Sequence, residues 1–140
     1  MKLTYWASAC VTIETPDCKI LCDPWLSFGL CWDGAWAVYP PVPSMERIIE
    51  DIGAVNVIWV SHLHPDHYCP EFLNAYLNVY PGTLLLTSGE PHVMRIMQRD
   101  GFEPHSAKQM MFGKTHLTSL RNTAEYRENI DSALVVQYGD

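Results

Sequence analysis

Three histidines and one aspartate fall within six residues directly after an apolar segment of the chain. The apolar segment ends in Val57-Ile58-Trp59-Val60, and Ser61 separates it from His62-Leu63-His64-Pro65-Asp66-His67. A short apolar run of this kind predicts a buried strand. In open α/β sheets, functional sites lie in the loops beyond the carboxyl ends of such strands. The chain is therefore expected to fold around a buried strand that leads into a polar site.

This cluster, residues 62–67, has the side-chain chemistry of a metal site. Imidazoles and carboxylates bind transition metals, and a bound cation would offset the cost of holding these polar groups together. We predict that His62 and His64 bind one metal ion and that Asp66 and His67 bind a second. Two such ions can activate a bridging water and polarise a substrate oxygen, which is hydrolytic chemistry. Asp66 and His67 are accordingly predicted to be catalytic.

The remaining sequence alternates between short apolar segments and amphipathic ones. Strands are predicted at Lys2–Ala7, Cys10–Thr15, Lys19–Cys22, Val55–Val60, Thr83–Thr87, Thr115–Leu120 and Ala133–Tyr138. Helices are predicted at Ser44–Gly53, within Tyr68–Tyr80 and at Pro91–Asp100. The order indicates an antiparallel opening followed by alternating strands and helices.

The segment Pro24–Pro43 has neither helical nor strand periodicity and is predicted to be a long loop. Its aromatic residues are Trp25, Phe28, Trp32, Trp36 and Tyr39. These rings could pack on the core as a lid, or they could form a substrate wall that excludes water and holds a sugar or acyl group. Both interpretations stay open, and the loop is expected to lie over the metal face and to be more mobile than the strands.

The pattern His62-x-His64-x-Asp66-His67 after an apolar strand, with an opening hairpin and Asp23-Pro24 upstream, closely resembles the metallo-β-lactamase superfamily. The resemblance implies an α/β (α+β) fold, the αββα sandwich of two similar halves. It also implies a site for two divalent metal ions at one edge, with zinc expected and manganese or iron as alternatives. Residues 1–140 would be a metallo-β-lactamase-like domain with a mixed sheet and flanking helices, corresponding to the amino-terminal half and incomplete at the carboxyl-terminal end. The cluster looks most similar to those of ascorbate-phosphate lactonase-like and sialic-acid hydroxylase-like members.

Other titratable residues are weaker candidates for the site. Members of the superfamily supply a further histidine after a later strand and then a bridging aspartate. His116 lies too early in its predicted strand, and Asp140 lies in a turn, so neither is expected to be a ligand. His92 and His105 are predicted to be solvated or structural residues. Asp23 either orients a ligand imidazole or only forms a turn.

Composition limits the partners and the location. The 140 residues contain 9 Lys and Arg against 16 Asp and Glu, and this net charge of −7 argues against a nucleic-acid partner. A small-molecule substrate is expected. Five cysteines, including Cys18 and Cys22 on one predicted strand, are interpreted as reduced core residues of a cytoplasmic protein. No apolar run approaches the roughly 20 residues of a membrane span. Exposed apolar surface on a half-sandwich would favour a homo-oligomer.

Together these patterns predict a metal-dependent hydrolase of a small ester, lactone, amide or phosphodiester. The alternative is a non-hydrolytic metal-binding module or a di-iron oxidoreductase of the same fold. Di-iron members of the superfamily usually carry glutamate at the second histidine of the cluster, so His64 argues against that variant. Because the cluster offers two protein ligands per metal, the 140-residue chain is expected to have weak activity or none.

Overall fold

Strand β6 (Val57–Val60) is buried along its whole length, and the rest of the fold is arranged on its two faces. The computed structural model describes residues 1–26, 30–121 and 131–139. The other strands are β1 (Lys2–Ala7), β2 (Cys10–Glu14), β3 (Lys19–Cys22), β4 (Leu30–Cys31), β5 (Trp36–Ala37), β7 (Leu84–Thr87), β8 (His105–Ser106), β9 (Gln109–Phe112), β10 (Thr115–Arg121) and β11 (Ser132–Tyr138). The helices are α1 (Met45–Ile52), α2 (Pro70–Val79) and α3 (Pro91–Arg99).

The main sheet has six strands in the order β1-β2-β3-β6-β7-β8. Strands β1, β2 and β3 pair antiparallel, whereas β3, β6, β7 and β8 pair parallel. The sheet is therefore mixed, as predicted. Strands β9, β10 and β11 form a second, antiparallel sheet, and β4 and β5 form a separate small hairpin.

Side-chain alternation in the central strands explains why the main sheet is covered on both faces. Ile58 and Val60 pack in the cluster that contains the helices, whereas Val57 and Trp59 pack in the cluster that contains Leu117 of the second sheet. Parallel strands buried on both faces read as continuous apolar runs. The described part of the chain thus forms three layers, with helices, the main sheet and the second sheet in that order.

The helices begin and end where the sequence predicts. At the start of α1, Ser44 Oγ accepts a hydrogen bond from the Arg47 amide at 3.1 Å. At its end, the Gly53 amide donates to the Ile49 carbonyl, and Gly53 has a φ of 65°. Helices α2 and α3 each begin with proline at the first turn, where a missing amide hydrogen costs nothing. These local signals fix the helical layer.

A buried tyrosine ties α2 to the connection between α1 and β6. The Tyr76 hydroxyl donates to the Gly53 carbonyl at 2.6 Å and accepts from the Val55 amide at 3.0 Å. Burial raises the pKa of Tyr76 to about 12, so the hydroxyl stays protonated at neutral pH. The contact fixes the segment that leads into β6.

Four strands were not predicted from the sequence. Strands β4 and β5 lie within Pro24–Pro43, so that segment is not wholly irregular. His105, predicted to be in a loop, lies in the two-residue strand β8, and Gln109–Phe112 forms β9. Strands β4, β5 and β8 have two residues each, which is too short to show a period of two. Phe28 and Asp140 lie outside the described residues.

Other predictions about burial can be compared directly. All five cysteine side chains are buried, as expected for small core residues. No helix among the described residues is long and apolar enough to cross a membrane. The outer face of the second sheet exposes Met111, Leu120 and Val135. Self-association through exposed apolar surface stays a prediction.

Candidate metal centre

The predicted cluster lies in a tight turn after β6, at the carboxyl end of a parallel strand. The amides of His67 and Tyr68 both donate to the His64 carbonyl, at 2.9 and 3.0 Å. The turn brings the three imidazoles together, with ring centroids 4.4 Å apart for His62 and His64 and 4.1 Å apart for His62 and His67. Residues that are close in the sequence therefore form one group of potential metal ligands.

Two nitrogens that could bind a metal ion face each other within this group. His62 Nε2 lies 2.8 Å from His64 Nδ1. Asp66 and His67 form a neighbouring pair, with Asp66 Oδ2 3.6 Å from His67 Nε2. The chemistry of this donor set, imidazole with carboxylate, fits a zinc, iron or manganese ion.

Asp23 holds the cluster from behind, at the end of β3. Its carboxylate accepts from the Ser61 amide at 2.7 Å and from the Ser61 hydroxyl at 2.9 Å. Its Oδ2 also lies 3.2 Å from His67 Nδ1. Asp23 is 9% exposed and has φ 44°, a left-handed conformation that aspartate tolerates better than most residues. The sequence left two roles open for Asp23, orienting a ligand imidazole or only forming a turn. The contact with His67 is the one expected for the first role.

Ser61 connects Asp23 to His62 through two hydrogen bonds. Because the Ser61 hydroxyl donates to Asp23, its oxygen is left to accept a hydrogen bond from His62 Nδ1, 2.9 Å away. Asp23 similarly accepts from His67 Nδ1. When these imidazoles are neutral, both then keep Nε2 unprotonated, which is the state that binds metal.

The surroundings shift the pKa values of two histidines in opposite directions. Burial, and then the neighbouring His67, lower the pKa of His62, so its imidazole is neutral at pH 7. The hydrogen bond to Asp23 raises the pKa of His67 despite partial burial. A neutral imidazole is the form that binds a cation, so His62 is ready to bind metal at neutral pH.

A sequence-family comparison decides the family. The family described as the beta-lactamase superfamily domain matches residues 2–136. The chain belongs to the beta-lactamase superfamily. This confirms the family that the His62–His67 pattern indicated, and the mixed sheet with flanking helices confirms the predicted fold class.

Several proteins similar in sequence to this chain are longer than it. A provisionally named Rieske 2Fe-2S iron-sulfur protein of Mycolicibacterium smegmatis is 34% identical over 103 residues, which cover 73% of this chain and 19% of the relative. A cytidine monophosphate-N-acetylneuraminic acid hydroxylase of Asterias rubens is 31% identical over 94 residues, which cover 66% of this chain and 12% of the relative. The chain thus spans a fifth or less of the length of these relatives.

Solved structures share the superfamily fold at lower identity. Isothiocyanate hydrolase from Delia radicum gut bacteria matches with a TM-score of 0.62 and 19% identity, covering 100% of this chain and 59% of the other. A possible metal-dependent hydrolase from Veillonella parvula matches with a TM-score of 0.65 and 15% identity, covering 99% and 60%. These likenesses show that this chain has the metallo-hydrolase fold.

The weaker candidates lie away from the cluster. His116 is on β10, where it pairs with Met111 and Gln137, five residues before the strand end that approaches the site. His92 is exposed on α3 beside Arg95, and His105 is exposed on β8. The structure does not bring these three histidines to the donors in the turn after β6.

One acidic residue near the cluster was missed. Asp131, just before β11, lies with its Oδ1 3.5 Å from His62 Nδ1. His62, His64 and Asp131 each offer one ligand atom, and these atoms all lie within 4.8 Å of one another. No local pattern marks Asp131, because the packing of the second sheet against the main sheet brings it here.

The hairpin β4–β5 supplies a side chain above the donors. Trp32 Nε1 donates to Asp66 Oδ1 at 3.3 Å, and its ring lies 5.1 Å from the His64 ring in an edge-on arrangement. Trp36 contacts Trp32 at 6.3 Å between ring centroids. A shallow cleft of about 540 Å³ lies beside this hairpin, lined by Ser8, Ala9, Trp25, Ala35, Trp36, Ala37 and Asp66. The hairpin therefore lies over the cluster, as predicted for this segment.

Proposed function

We propose that this chain is the metal-binding part of a hydrolase that acts on a small ester, lactone, amide or phosphodiester. The observation that carries the proposal is the 2.8 Å approach of His62 Nε2 and His64 Nδ1, with Asp66 and His67 beside them at a strand end. The superfamily membership and the hydrolase fold of the solved relatives support it. The proposed ligands are those of the sequence pattern.

Two divalent ions, with zinc expected, would supply a water that ionises near neutral pH and a Lewis acid for the substrate oxygen. His62 and His64 would hold one ion, and Asp66 and His67 the other. Asp23 would fix the ring orientation of His67 directly and that of His62 through Ser61. Asp66 would be held in place by the indole of Trp32.

The substrate is proposed to be a small molecule that enters beside the β4–β5 hairpin. Trp32 and Trp36 would contact its apolar part, because both rings are partly exposed next to Asp66. Ligand sites commonly combine apolar walls with a few polar groups. A net charge of −7 argues against a nucleic-acid substrate.

The test is hydrolysis of a panel of lactones, esters, amides and phosphodiesters by the chain loaded with zinc or manganese. We expect slow turnover of at least one class, abolished by a chelator and by His64→Ala. His92→Ala is the matched control, since His92 is an exposed histidine on α3 and should leave the rate unchanged. Equal turnover by wild type and His64→Ala would contradict the proposal.

A second candidate is a non-hydrolytic metal module within a longer redox protein. The observation that favours it is the sequence similarity to proteins named as iron–sulfur and hydroxylase proteins, which exceeds the identity to the solved hydrolases. Loading the chain anaerobically with Fe²⁺ and following oxygen uptake and the iron spectrum would test it. Tight iron binding with oxygen uptake, together with no hydrolysis, would favour this candidate over the first.

A further inference from the structure

The β10–β11 hairpin delivers a residue to the cluster from a distant part of the chain. Ser132 pairs with Arg121 at the last described register position of these strands. The Ser132 hydroxyl donates to the Ser61 carbonyl at 2.5 Å, a contact between residues 71 positions apart. The start of β11 is thereby joined to the end of β6, and Asp131 is placed beside the histidines.

Asp131 lies where its carboxylate could bind a metal ion together with His62 and His64. Its carboxylate forms, with one nitrogen each of His62 and His64, the only group of three metal-ligating side chains found within the described ranges. Its side chain is 68% exposed, so a cation can reach it from solvent. A carboxylate next to two imidazoles also lowers the positive charge that a divalent ion would create.

An orienting role for Asp131 is less well supported by the distances. Its Oδ1 lies 3.5 Å from His62 Nδ1, at the limit for a hydrogen bond. Ser61 Oγ is already 2.9 Å from the same nitrogen and lies in the buried chain of contacts that ends at Asp23. The orienting position is therefore filled, and the exposed carboxylate remains available to a metal.

We propose that Asp131 is the third protein ligand of the metal ion held by His62 and His64. The inference rests on the proposed function only in assuming that these histidines bind a divalent ion. Two imidazoles and one carboxylate, with one or more positions left open, form a donor set known for zinc hydrolysis and for Fe²⁺ chemistry. The two-donor site predicted from the sequence would then have three protein ligands.

The test is zinc affinity of the 140-residue chain, measured by competition with a chromophoric chelator. Variants Asp131→Ala and Asp131→Asn are compared with Ser61→Ala, which removes the hydroxyl that contacts His62 Nδ1 and Asp23 and leaves Asp131 in place. Loss of an orienting partner weakens metal binding by roughly 10–100-fold. We expect both Asp131 variants to weaken zinc binding at least about tenfold more than Ser61→Ala does. Asp131→Glu, which keeps a carboxylate, should recover part of the affinity.

Two further measurements keep the result interpretable. Glu103→Gln removes an equal charge at an exposed distant position and should leave zinc affinity unchanged. The visible spectrum of the Co²⁺-loaded chain should change in Asp131→Asn and not in Glu103→Gln, because only the first alters the coordination sphere. Thermal unfolding with a chelator should be the same for wild type and the Asp131 variants.

The inference is overturned if Asp131→Ala weakens zinc binding no more than Ser61→Ala, or if the Co²⁺ spectrum of Asp131→Asn matches that of wild type. A loss in Glu103→Gln equal to that in Asp131→Asn would also overturn it, because net charge would then explain the effect. The affinity measurement uses no substrate. Hydrolysis in the panel that His64→Ala leaves unchanged would therefore contradict the proposed function without affecting this result.

Discussion

The turn after β6 and the strand ends around it contribute to the candidate metal centre in different ways. Residues 62–67 place three imidazoles and a carboxylate together within one turn, held by amides that donate to the His64 carbonyl. Asp23 and Asp131 come instead from the ends of β3 and β11. Asp23 reaches the turn because β3 pairs with β6, and Asp131 reaches it because the second sheet packs against the main sheet. The turn after β6 supplies potential metal ligands. The strand ends around it orient these ligands or add a further one.

The comparison shows which properties of the site depend on the whole fold. Donor identity is local, because a short turn keeps neighbouring side chains close whatever surrounds it. The ionisation and tautomer of those donors are not local, because Asp23 and Ser61 determine which nitrogen of His62 and His67 carries the proton. Loss of a donor should therefore remove the metal, whereas loss of a support should weaken binding.

The largest effect is expected from the donors themselves. The double variant His62→Ala, His64→Ala removes both facing nitrogens, so bound metal should be lost, as measured by elemental analysis of the purified chain. His92→Ala with His105→Ala is the matched control, because it removes two exposed histidines away from the turn. Metal content equal to wild type in the His62, His64 variant would show that another part of the chain binds the ion.

An intermediate effect is expected from Asp23. Asp23→Ala leaves the buried Ser61 amide without its acceptor, which should lower the free energy of unfolding by about 1–3 kcal/mol. Asp23→Asn keeps an oxygen for that amide and tolerates the left-handed backbone, so it should destabilise less. Its NH₂ group cannot accept from the Ser61 hydroxyl or His67 Nδ1.

Both Asp23 variants should therefore weaken zinc binding by a similar factor, roughly 10–100-fold. Chelator competition would measure the affinity, and urea denaturation in the presence of a chelator would measure stability separately. If Asp23→Asn binds zinc as tightly as wild type, Asp23 is only a structural residue of the turn.

The same difference explains what could be predicted from sequence. Helix α1 was predictable because its cap Ser44, its buried face and Gly53 all lie within ten residues. Strand β6 and the His62–His67 turn were predictable for the same reason. Asp131 was not, because its neighbours in space come from other strands and no spacing in the sequence marks it.

Short strands were missed for a related reason. Leu30–Cys31 and Trp36–Ala37 contain two residues each, so neither can show alternation, and the surrounding prolines and aromatic residues indicate a loop. Their pairing depends on the turn at Trp32 and Asp33, both of which have positive φ, at 52° and 54°. Asp33 tolerates that conformation, whereas tryptophan is not a typical signal for it, and Trp32 adopts it while its ring contacts Asp66 and His64.

The smallest effect is expected from Trp32. This residue contacts Asp66 and His64 but lies neither in the turn after β6 nor at the ends of β3 and β11. A residue with a side chain pays about 1–2 kcal/mol for a left-handed conformation, and glycine does not. Trp32→Ala loses the ring and keeps this strain, whereas Trp32→Gly loses the ring and relieves it. Because Trp32 is 43% exposed, its packing contribution is only partial. We expect Trp32→Gly to change the free energy of unfolding by under about 1 kcal/mol and to be less destabilising than Trp32→Ala.

Amide hydrogen exchange then separates the two interpretations of the aromatic segment. In wild type, the amides of Gly34 and Ala35 donate to the carbonyls of Cys31 and Trp32 and should still exchange faster than those of β6. In Trp32→Gly, exchange at Ala35 should accelerate further while β6 is unchanged, because the hairpin would lose its contacts with His64 and Asp66. A loss of more than about 2 kcal/mol in Trp32→Gly, or wild-type exchange as slow as in β6, would show that the hairpin is part of the core. The indole would then support the turn in the way that Asp23 does, and the division between local donors and distant supports would have to include it.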